Sequence, residues 1–406
     1  ADAPALITFT SGSTGLPKAA LRTHGFLLEQ YRVLAQHLQP QVGAIELNIL
    51  PIFILANLAA GQSSLIPTGN LRKLGQIRAK PILRQIEQER PTRLLASPGF
   101  LERLIDYCQH HQQTLTTVQT IFCGGAPMTP LLLDQLQAIA PNASIQLIYG
   151  ATEAEPIAHL AAQMMTQADR EQTQRGGGLL AGYPVPELRV RVIRQQWGQP
   201  IANWKAQDLQ ANTLPVDAIG EIIVSGDHVL SQYLPTPEAL AALGPNTQAN
   251  MQLDHNQLTK FRVKHQVWHR TGDAGYFDQQ GRLWLVGRCQ ARVEGDRGCL
   301  YPLQVESVAN QISGVRRTTL LSANLSGRGP HRQQRILLIE LHKRRQHPWS
   351  QRLRLQTQAE ILEKLATTLA WARLDRIIIC RQIPVDRRHN AKIDYKRLRH
   401  TPCVRC

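Results

Sequence analysis

The chain has 406 residues, 43% of them hydrophobic and 19% charged, and this length and composition predict a soluble protein of two or three globular domains. No apolar run approaches the ~18 residues that a membrane-spanning helix needs, which excludes a transmembrane segment. The formal net charge is +16, but aromatic residues do not interleave with the basic ones, so nucleic acid is not an expected partner.

The first half of the chain alternates strand and helix patterns. An apolar run at residues 5–9 predicts a buried strand, and Thr23 is a suitable N-cap for the helix beyond the glycine-rich stretch. Further strand patterns occur at residues 93–96, 118–123 and 144–149, with helix patterns at 98–107 and 130–139. Strands separated by helix-length segments predict βαβ units and a mostly parallel sheet.

The pattern changes after about residue 180. Strand patterns at residues 188–193, 220–224 and 281–286 are separated by turn residues, which predicts a β-rich subdomain at 180–287. From residue 288 the chain becomes more basic, with strand patterns at 335–341 and 376–380 and a helix at 359–369. The predicted architecture is an α/β protein with a large N-terminal domain at 1–287 and a small α+β C-terminal domain at 288–406.

A glycine-rich segment, TSGSTGLPK, follows the first predicted strand. Its glycines let the backbone bring N–H groups close to an anion, while its hydroxyls and its lysine add donors and positive charge. The spacing is not that of a Walker A loop. A flexible linker is the alternative, but a linker would rarely lie between a strand and a capped helix. The candidate phosphate-binding residues are Thr10, Ser11, Gly12, Ser13, Thr14, Gly15 and Lys18.

Seven further short motifs follow this loop in order along the chain. They are CGGAP at 123–127, YGATE at 149–153, GYP at 182–184, GEIIVSG at 220–226, TGD at 271–273, GR at 287–288 and RHNAKID at 388–394. Together with the loop they resemble the signatures of the adenylate-forming (AMP-binding) superfamily, which includes acyl-CoA synthetases, peptide-synthetase adenylation domains and luciferases. The resemblance implies ATP and Mg²⁺ as ligands and a mobile C-terminal domain that acts as a lid.

The resemblance also implies where the nucleoside of ATP binds. Gly125 and Ala126 belong to the segment that contacts adenine, and Tyr149, which Gly150 follows, would stack on its ring. Asp273 would accept hydrogen bonds from the ribose hydroxyls, with Arg288 nearby. Taken alone, Asp273 could merely close a turn, so this role depends on the order and context of the motifs.

Three residues carry the chemistry that the resemblance implies. Thr152 would hydrogen-bond the α-phosphate, and Glu153 would bind Mg²⁺, which prefers carboxylate and phosphate oxygens. Lys392 would bridge the acid's carboxylate and the α-phosphate as negative charge concentrates there. Taken alone, Glu153 could be a helix-start carboxylate and Lys392 a solvated lysine.

The second substrate implied by the resemblance is a carboxylic acid, which is joined to AMP with release of pyrophosphate. Residues 50–61 occupy the place where relatives lead into the acyl tunnel. Their apolar content suits a hydrophobic, fatty acid, although the same run could equally be core. Glu155 could reach a hydroxyl group of the substrate or could only cap the following segment.

Two stretches depart from typical CoA ligases. Gln290 replaces an acidic hinge residue, Glu294 replaces a lysine, and Ala391 replaces the glycine before the catalytic lysine. These stretches resemble the fatty-acid-CoA-ligase-like subgroup that contains the β-lactone synthetases of olefin biosynthesis, in which the hydroxyl of a 3-hydroxy acyl-adenylate closes the ring without CoA. The acceptor is therefore CoA, another acceptor, or the acid's own hydroxyl. A degenerate ATP-binding module is a further alternative.

The two ends of the chain carry further expectations. Relatives have a long portion before the phosphate loop, which begins here ten residues into the chain, so we expect an N-terminally truncated piece whose missing portion completes the large domain. The first residues show no signal peptide. The seven scattered cysteines predict reduced thiols in a cytoplasmic protein, and Cys403 and Cys406 are expected to form a frayed tail rather than a zinc site.

Overall fold

The computed structural model describes residues 1–11, 17–71, 77–234, 255–324, 333–342, 357–386 and 393–398. Within these ranges the strands are β1 (Pro4–Ser11), β2 (Pro17–Thr23), β3 (Ile45–Asn48), β4 (Ser63–Leu65), β5 (Arg93–Ala96), β6 (Thr120–Gly124), β7 (Ser144–Ala151), β8 (Ala154–Ala161), β9 (Leu179–Pro184), β10 (Arg189–Ile193), β11 (Gly220–Ser225), β12 (Lys260–Val263), β13 (Gln266–Phe277), β14 (Leu283–Arg288), β15 (Val315–Asn324), β16 (Gln333–Leu341) and β17 (Arg376–Cys380).

The α-helices in the same ranges are α1 (His24–Leu38), α2 (Pro51–Ala59), α3 (Ala79–Glu89), α4 (Pro98–His111), α5 (Pro130–Ile139), α6 (Gln167–Gln172), α7 (Ala206–Asn212), α8 (His255–Thr259), α9 (Pro302–Ala309), α10 (Gln358–Thr368) and α11 (Tyr395–Leu398). Short 3₁₀ turns occur at Ala162–Met164, Cys289–Ala291 and Ala370–Ala372, and a π turn at Thr173–Gly177. No helix in the described part of the chain is long and apolar enough to cross a membrane.

One large sheet forms the body of the molecule. Its strand order is β10-β11-β13-β14-β9-β8-β7-β6-β5-β3-β4, with β12 paired to β13. Strands β4, β3, β5, β6 and β7 are parallel, and the pairing becomes antiparallel from β7 onward. The α/β prediction is confirmed: helices connect the parallel strands, and the antiparallel strands continue the same sheet.

Local sequence signals place the helices that cover the parallel strands. Thr23 caps α1, because its side chain accepts a hydrogen bond from the Phe26 N–H at 3.1 Å. Helix α5 has Thr129 as N-cap and Pro130 in its first turn, and it spans the predicted range. Both helices thereby satisfy N–H groups that would otherwise lack partners.

The first predicted strand forms but is not buried. β1 pairs only with β2, as an antiparallel two-stranded ribbon outside the large sheet. The side chains of Ile7 and Phe9 are 47% and 65% exposed. The prediction of burial was wrong because an apolar run can favour a strand without fixing what packs against it.

A separate three-stranded sheet, β15-β16-β17, forms the C-terminal unit. Helices α9 and α10 pack on it through an apolar cluster that includes Val305, Leu337 and Leu365. This unit contacts the rest of the molecule at the π turn, where Gln304 donates a hydrogen bond to the Gly176 carbonyl at 3.1 Å. The predicted boundary between the two domains falls at the end of β14.

Candidate active site

The candidate nucleotide site lies where the parallel strands β6 and β7 end. Gly124 pairs with Ile148, so Gly125 and Tyr149 follow at the same edge of the sheet. Gly125 has φ 83°, in the left-handed region that glycine adopts without strain. Ala126 follows in the same loop. In open α/β sheets ligands bind outside the carboxyl ends of the strands, which is where these residues lie.

The Thr-Glu pair of the YGATE motif forms the tip of a hairpin. Thr152 and Glu153 are the two residues between β7 and β8, where Ala151 pairs with Ala154. Two contacts hold the tip: Arg22 donates to the Thr152 carbonyl at 2.8 Å, and the Leu230 N–H donates to the Glu153 carbonyl at 2.7 Å. The hairpin therefore presents both side chains at a fixed place beside Gly150.

Tyr149, Asp273 and Arg288 form one connected group, which we call the nucleoside cluster. The Tyr149 hydroxyl donates to Asp273 Oδ2 at 2.9 Å, and Arg288 Nε lies 3.2 Å from Asp273 Oδ1. Asp273 and Arg288 are cross-strand partners in β13 and β14. Burial raises the pKa of Tyr149 and Asp273 raises it further, while Asp273 also raises the pKa of Arg288. The structure thus brings the motifs TGD and GR together with YGATE.

A second group surrounds Glu153, and we call it the phosphate cluster: Lys18, Glu153, Tyr233, Lys260 and His269. The Tyr233 hydroxyl donates a short hydrogen bond to Glu153 Oε1. The ammonium groups of Lys18 and Lys260 lie 5.3 Å and 5.4 Å from the centroid of the Tyr233 ring. Lys18 is only 8% exposed, although it belongs to the glycine-rich loop segment.

The charges of this cluster decide the state of the carboxyl group. Burial would raise the pKa of Glu153, but its neighbours His269, Tyr233, Lys260 and Lys18 outweigh burial and hold the pKa at about 2. Glu153 is therefore ionised throughout the physiological range. Burial lowers the pKa of Lys18, and Arg288 lowers it too, whereas the Glu153 carboxylate raises it.

Five residues of the predicted site lie outside the part of the chain that the structure describes. Gly12, Ser13, Thr14, Gly15 and Lys392 fall outside the described residues. The backbone of Thr10 and Ser11 ends β1, where Thr10 pairs with Lys18 and Ser11 with Pro17. The two ends of the glycine-rich loop therefore adjoin the buried lysine.

Four residues of the site were missed in the sequence. Tyr233 and Lys260 lie in no recognised motif. Arg22 follows the glycine-rich segment and His269 lies just before TGD, but neither was assigned a role. Pairing between separate segments places these residues in the site: Ala20 bridges to Tyr233, and Lys260 pairs with His269 across β12 and β13. The alternation of β13 could have placed His269 on a shared face with Thr271, but nothing local marks Tyr233 or Lys260.

The apolar segment at 50–61 folds largely as helix α2. Phe53 packs in a core cluster with Leu34, Leu95 and Phe122, whereas Leu58 is 76% exposed. A small cavity lies beside this cluster, lined by His37, Leu38, Phe122, Gln146, Ile148, Pro156 and His159. Phe53 thus belongs to the core, and the role of the segment as an acyl tunnel stays a prediction.

Known relatives match nearly the whole chain. Residues 1–234 match the AMP-binding enzyme family. The olefin β-lactone synthetase of Stenotrophomonas maltophilia is 33% identical over 400 residues, covering 97% of this chain and 66% of that protein. The olefin β-lactone synthetase of Xanthomonas campestris is 31% identical, covering 98% and 66%. A 4-coumarate–CoA ligase of Vanilla planifolia is 24% identical, covering 76% and 50%. The chain spans from half to 66% of the length of these relatives.

Solved structures share the fold. The amide bond synthetase McbA of Marinactinospora thermotolerans superposes with a TM-score of 0.69 at 20% identity, covering 97% of this chain and 68% of that one. The O-succinylbenzoate coenzyme A synthetase of Bacillus subtilis, solved with ATP and magnesium ion, gives a TM-score of 0.66 at 20% identity, covering 98% and 70%. At this level of identity the likeness concerns the fold alone.

Proposed function

The chain belongs to the AMP-binding enzyme family, and we propose that it uses ATP to activate a hydrophobic carboxylic acid as its acyl-adenylate, with release of pyrophosphate. The observation that carries this proposal is the meeting of separate motifs at one edge of the sheet. Tyr149, Asp273 and Arg288 form the nucleoside cluster, and the phosphate cluster around Glu153 adjoins it.

The nucleoside cluster is organised to hold adenosine. The ring of Tyr149 offers a flat face for adenine, and its hydroxyl is tied to Asp273. Asp273 is also held by Arg288, which fixes its carboxylate in place, and we propose that it accepts hydrogen bonds from the ribose hydroxyls. Gly125 carries no side chain at the neighbouring strand end, which lets the backbone approach the base.

Glu153 fits the role of a magnesium ligand. Tyr233 donates to its Oε1, while no hydrogen bond to its Oε2 is found among the described residues, and its low pKa keeps it ionised. The described residues hold no group of three side chains that could bind a metal ion by themselves. A single carboxylate suits Mg²⁺, which commonly binds through one or two carboxylates plus substrate phosphates. Bound there, it would offset negative charge on the phosphates.

The reaction is an in-line displacement at phosphorus. A carboxylate oxygen of the acid attacks the α-phosphorus of ATP, the bond to the bridging oxygen breaks, and pyrophosphate leaves with the electron pair. Lys18 and the Thr152 hydroxyl would stabilise the charge that develops on the phosphate oxygens. Lys392, by the resemblance, would hold the acid's carboxylate against the α-phosphate.

The chain next to Lys392 supports that assignment. Ile393 bridges to Val385, which fixes the start of the last described segment. Burial raises the pKa of Tyr395, three residues after Lys392, and the Arg288 guanidinium opposes that rise. We therefore propose that the C-terminal domain, residues 288–406, delivers Lys392 to the site and turns about the 3₁₀ segment Cys289–Ala291.

A second candidate for the later step is β-lactone closure. The two olefin β-lactone synthetases match over 97% and 98% of this chain, and Gln290 and Glu294 depart from the CoA-ligase pattern. Glu294 is exposed and pairs with Arg292, so it gives no cation at that place. In this step the 3-hydroxyl attacks the acyl carbonyl, AMP leaves, and the hydroxyl proton passes to solvent. The alternative is transfer to CoA or another acceptor.

Acid-dependent ATP–pyrophosphate exchange tests the proposed adenylation. We would assay the full-length protein with matched fatty and 3-hydroxy fatty acids, with and without CoA. Exchange should vanish in Lys392→Ala and persist in Lys364→Ala, a matched change at an exposed lysine of α10. AMP release with hydroxy acids alone and without CoA would favour lactone closure, and a CoA requirement would favour a thioester. ATP binding without exchange for any acid would indicate that the protein is a degenerate ATP-binding module.

A further inference from the structure

Lys260 is a buried cation that no motif explains. It lies in β12 opposite His269 and is 9% exposed. The Lys260 ammonium donates a short hydrogen bond to the Leu230 carbonyl. The backbone N–H of Leu230 in turn donates to the Glu153 carbonyl at 2.7 Å. One residue of the chain therefore ties Lys260 to the hairpin tip that carries Glu153.

Two lysines share one aromatic ring. The ammonium groups of Lys18 and Lys260 both lie over the ring of Tyr233, at 5.3 Å and 5.4 Å from its centroid. The hydroxyl of that ring donates to Glu153. A triphosphate lying beside this ring could contact both ammonium groups, because each ammonium group lies within 5.4 Å of the ring centroid. The arrangement therefore places two cations around one carboxylate.

The charges around Lys260 do not balance. The titratable groups that face it or its aromatic partner are Lys18, Glu153, Tyr233, His255 and His269. Among the described residues, Glu153 is the one carboxylate of the phosphate cluster, and it lies beside two lysines, Lys18 and Lys260.

This excess positive charge has an energetic consequence. An incompletely paired cation withdrawn from water is costly unless an anion joins it. The pKa of Lys260 reflects that cost: burial lowers it to about 7, with Glu153 opposing and Lys18 adding to the fall. The neighbouring Arg288 is already paired with Asp273. The two lysines of the phosphate cluster would therefore be stabilised by a further anion, whereas Arg288 of the nucleoside cluster already has Asp273 as its partner.

We infer that Lys260 is a second phosphate-binding cation, which holds the β- and γ-phosphates of ATP, and the leaving pyrophosphate, together with Lys18. The inference rests on the proposed function and extends it to a residue outside the motifs. Lys260 acts beside Glu153 and Tyr233 in the phosphate cluster, and not within the nucleoside cluster of Tyr149, Asp273 and Arg288. It therefore contributes to binding of the polyphosphate and not of AMP.

The test compares ligands that share adenosine but differ in phosphates. Titration calorimetry would measure binding of Mg·ATP, AMP and Mg·pyrophosphate to the full-length protein and to Lys260→Met, Lys260→Arg and Lys264→Met. Lys264 is an exposed lysine at the turn after β12 and serves as the matched control. Circular dichroism would establish folding first, and Lys260→Gln would replace the methionine variant if the latter does not fold.

We expect Lys260→Met to weaken Mg·ATP and Mg·pyrophosphate about tenfold or more, as for loss of a charged hydrogen bond, and to leave AMP within about twofold. Lys260→Arg should regain most of the affinity, and Lys264→Met should match the wild type. Equal ATP affinity in wild type and Lys260→Met would overturn the inference, as would equal losses for ATP and AMP in a folded variant. Failure of the wild type to bind ATP at all would overturn the proposed function itself, and with it this inference.

Discussion

The pKa values of two carboxyl groups, the half-buried Glu153 and the buried Glu306, are shifted in opposite directions. Glu306 lies in α9 of the C-terminal unit, accepts a hydrogen bond from the Leu320 N–H at 2.9 Å, and has its pKa raised by burial to about 7. Burial acts on Glu153 in the same direction, yet the pKa of Glu153 is about 2.

The neighbours decide the difference, because burial by itself raises the pKa of both groups. Glu306 accepts hydrogen bonds, but no cation among the described residues lowers its pKa, so its neutral form persists to a higher pH. Glu153 faces Lys18, Lys260 and the Tyr233 hydroxyl. A carboxylate that stays ionised among cations can bind a metal ion and phosphates, whereas a buried carboxyl group that takes up a proton below about pH 7 is less suited to do so.

The largest effect is expected from Glu153→Gln, which removes the charge that distinguishes this carboxyl group from Glu306. The amide keeps the size of the side chain and can still accept from Tyr233, but it removes the negative charge and the proposed Mg²⁺ ligand. We expect acid-dependent ATP–pyrophosphate exchange to fall at least about a hundredfold. Glu89→Gln, at an exposed position at the end of α3, should exchange at the wild-type rate. A Glu153→Gln enzyme with wild-type exchange would contradict the role of this carboxylate.

The raised pKa of Glu306 should make the free energy of unfolding depend on pH. Because the pKa of Glu306 rises from its ordinary value near 4.5 to about 7 on folding, the native state binds more protons between these values. The free energy of unfolding should therefore fall as pH rises from about 4.5 to about 7, by up to about 3 kcal/mol, and then level off.

Urea unfolding at a series of pH values would measure this fall. The fall should shrink in Glu306→Gln, which keeps an oxygen for the Leu320 N–H, and should persist in Glu363→Gln on the exposed face of α10. The same slope in wild type and Glu306→Gln would mean that this carboxyl is not the titrating group.

A smaller effect is expected from Tyr233→Phe. The ring that underlies the two ammonium groups is kept, and only the hydroxyl that donates to Glu153 is lost. We expect the exchange rate at limiting Mg²⁺ to fall about tenfold, because the carboxylate loses a charge-assisted hydrogen bond that fixes it. Tyr107→Phe, which keeps its stacking on His111, is the matched control. An unchanged Mg²⁺ dependence would show that the hydroxyl does not orient Glu153.

The nucleoside cluster could be predicted from the sequence, and the phosphate cluster could be predicted only in part. Tyr149, Asp273 and Arg288 lie in short motifs whose order identifies them, and the sheet brings those motifs together. Tyr233 and Lys260 are single residues in stretches without a pattern. Their place depends on the Ala20–Tyr233 bridge and on the pairing of β12 with β13, contacts between residues far apart in sequence.

The same limit applies to the fold. Helix α5 could be predicted to the residue, because a capping threonine and a proline at its first position are local signals. Strand β1 could be predicted as a strand but not as an exposed one. Apolar periodicity reports what a segment can form, whereas burial depends on partners that the segment itself does not specify.

Isotope transfer tests the central claim, that the acid's carboxylate attacks the α-phosphorus of ATP, most directly. The full-length protein would be incubated with Mg·ATP and an acid whose carboxylate carries ¹⁸O, and the AMP formed would be examined by mass spectrometry after transfer of the acyl group. Our account predicts AMP containing one ¹⁸O atom and unlabelled pyrophosphate, because the acid's oxygen stays on the α-phosphorus when the acyl–oxygen bond breaks. Label in inorganic phosphate with ADP as the product, or turnover that yields unlabelled AMP, would contradict it.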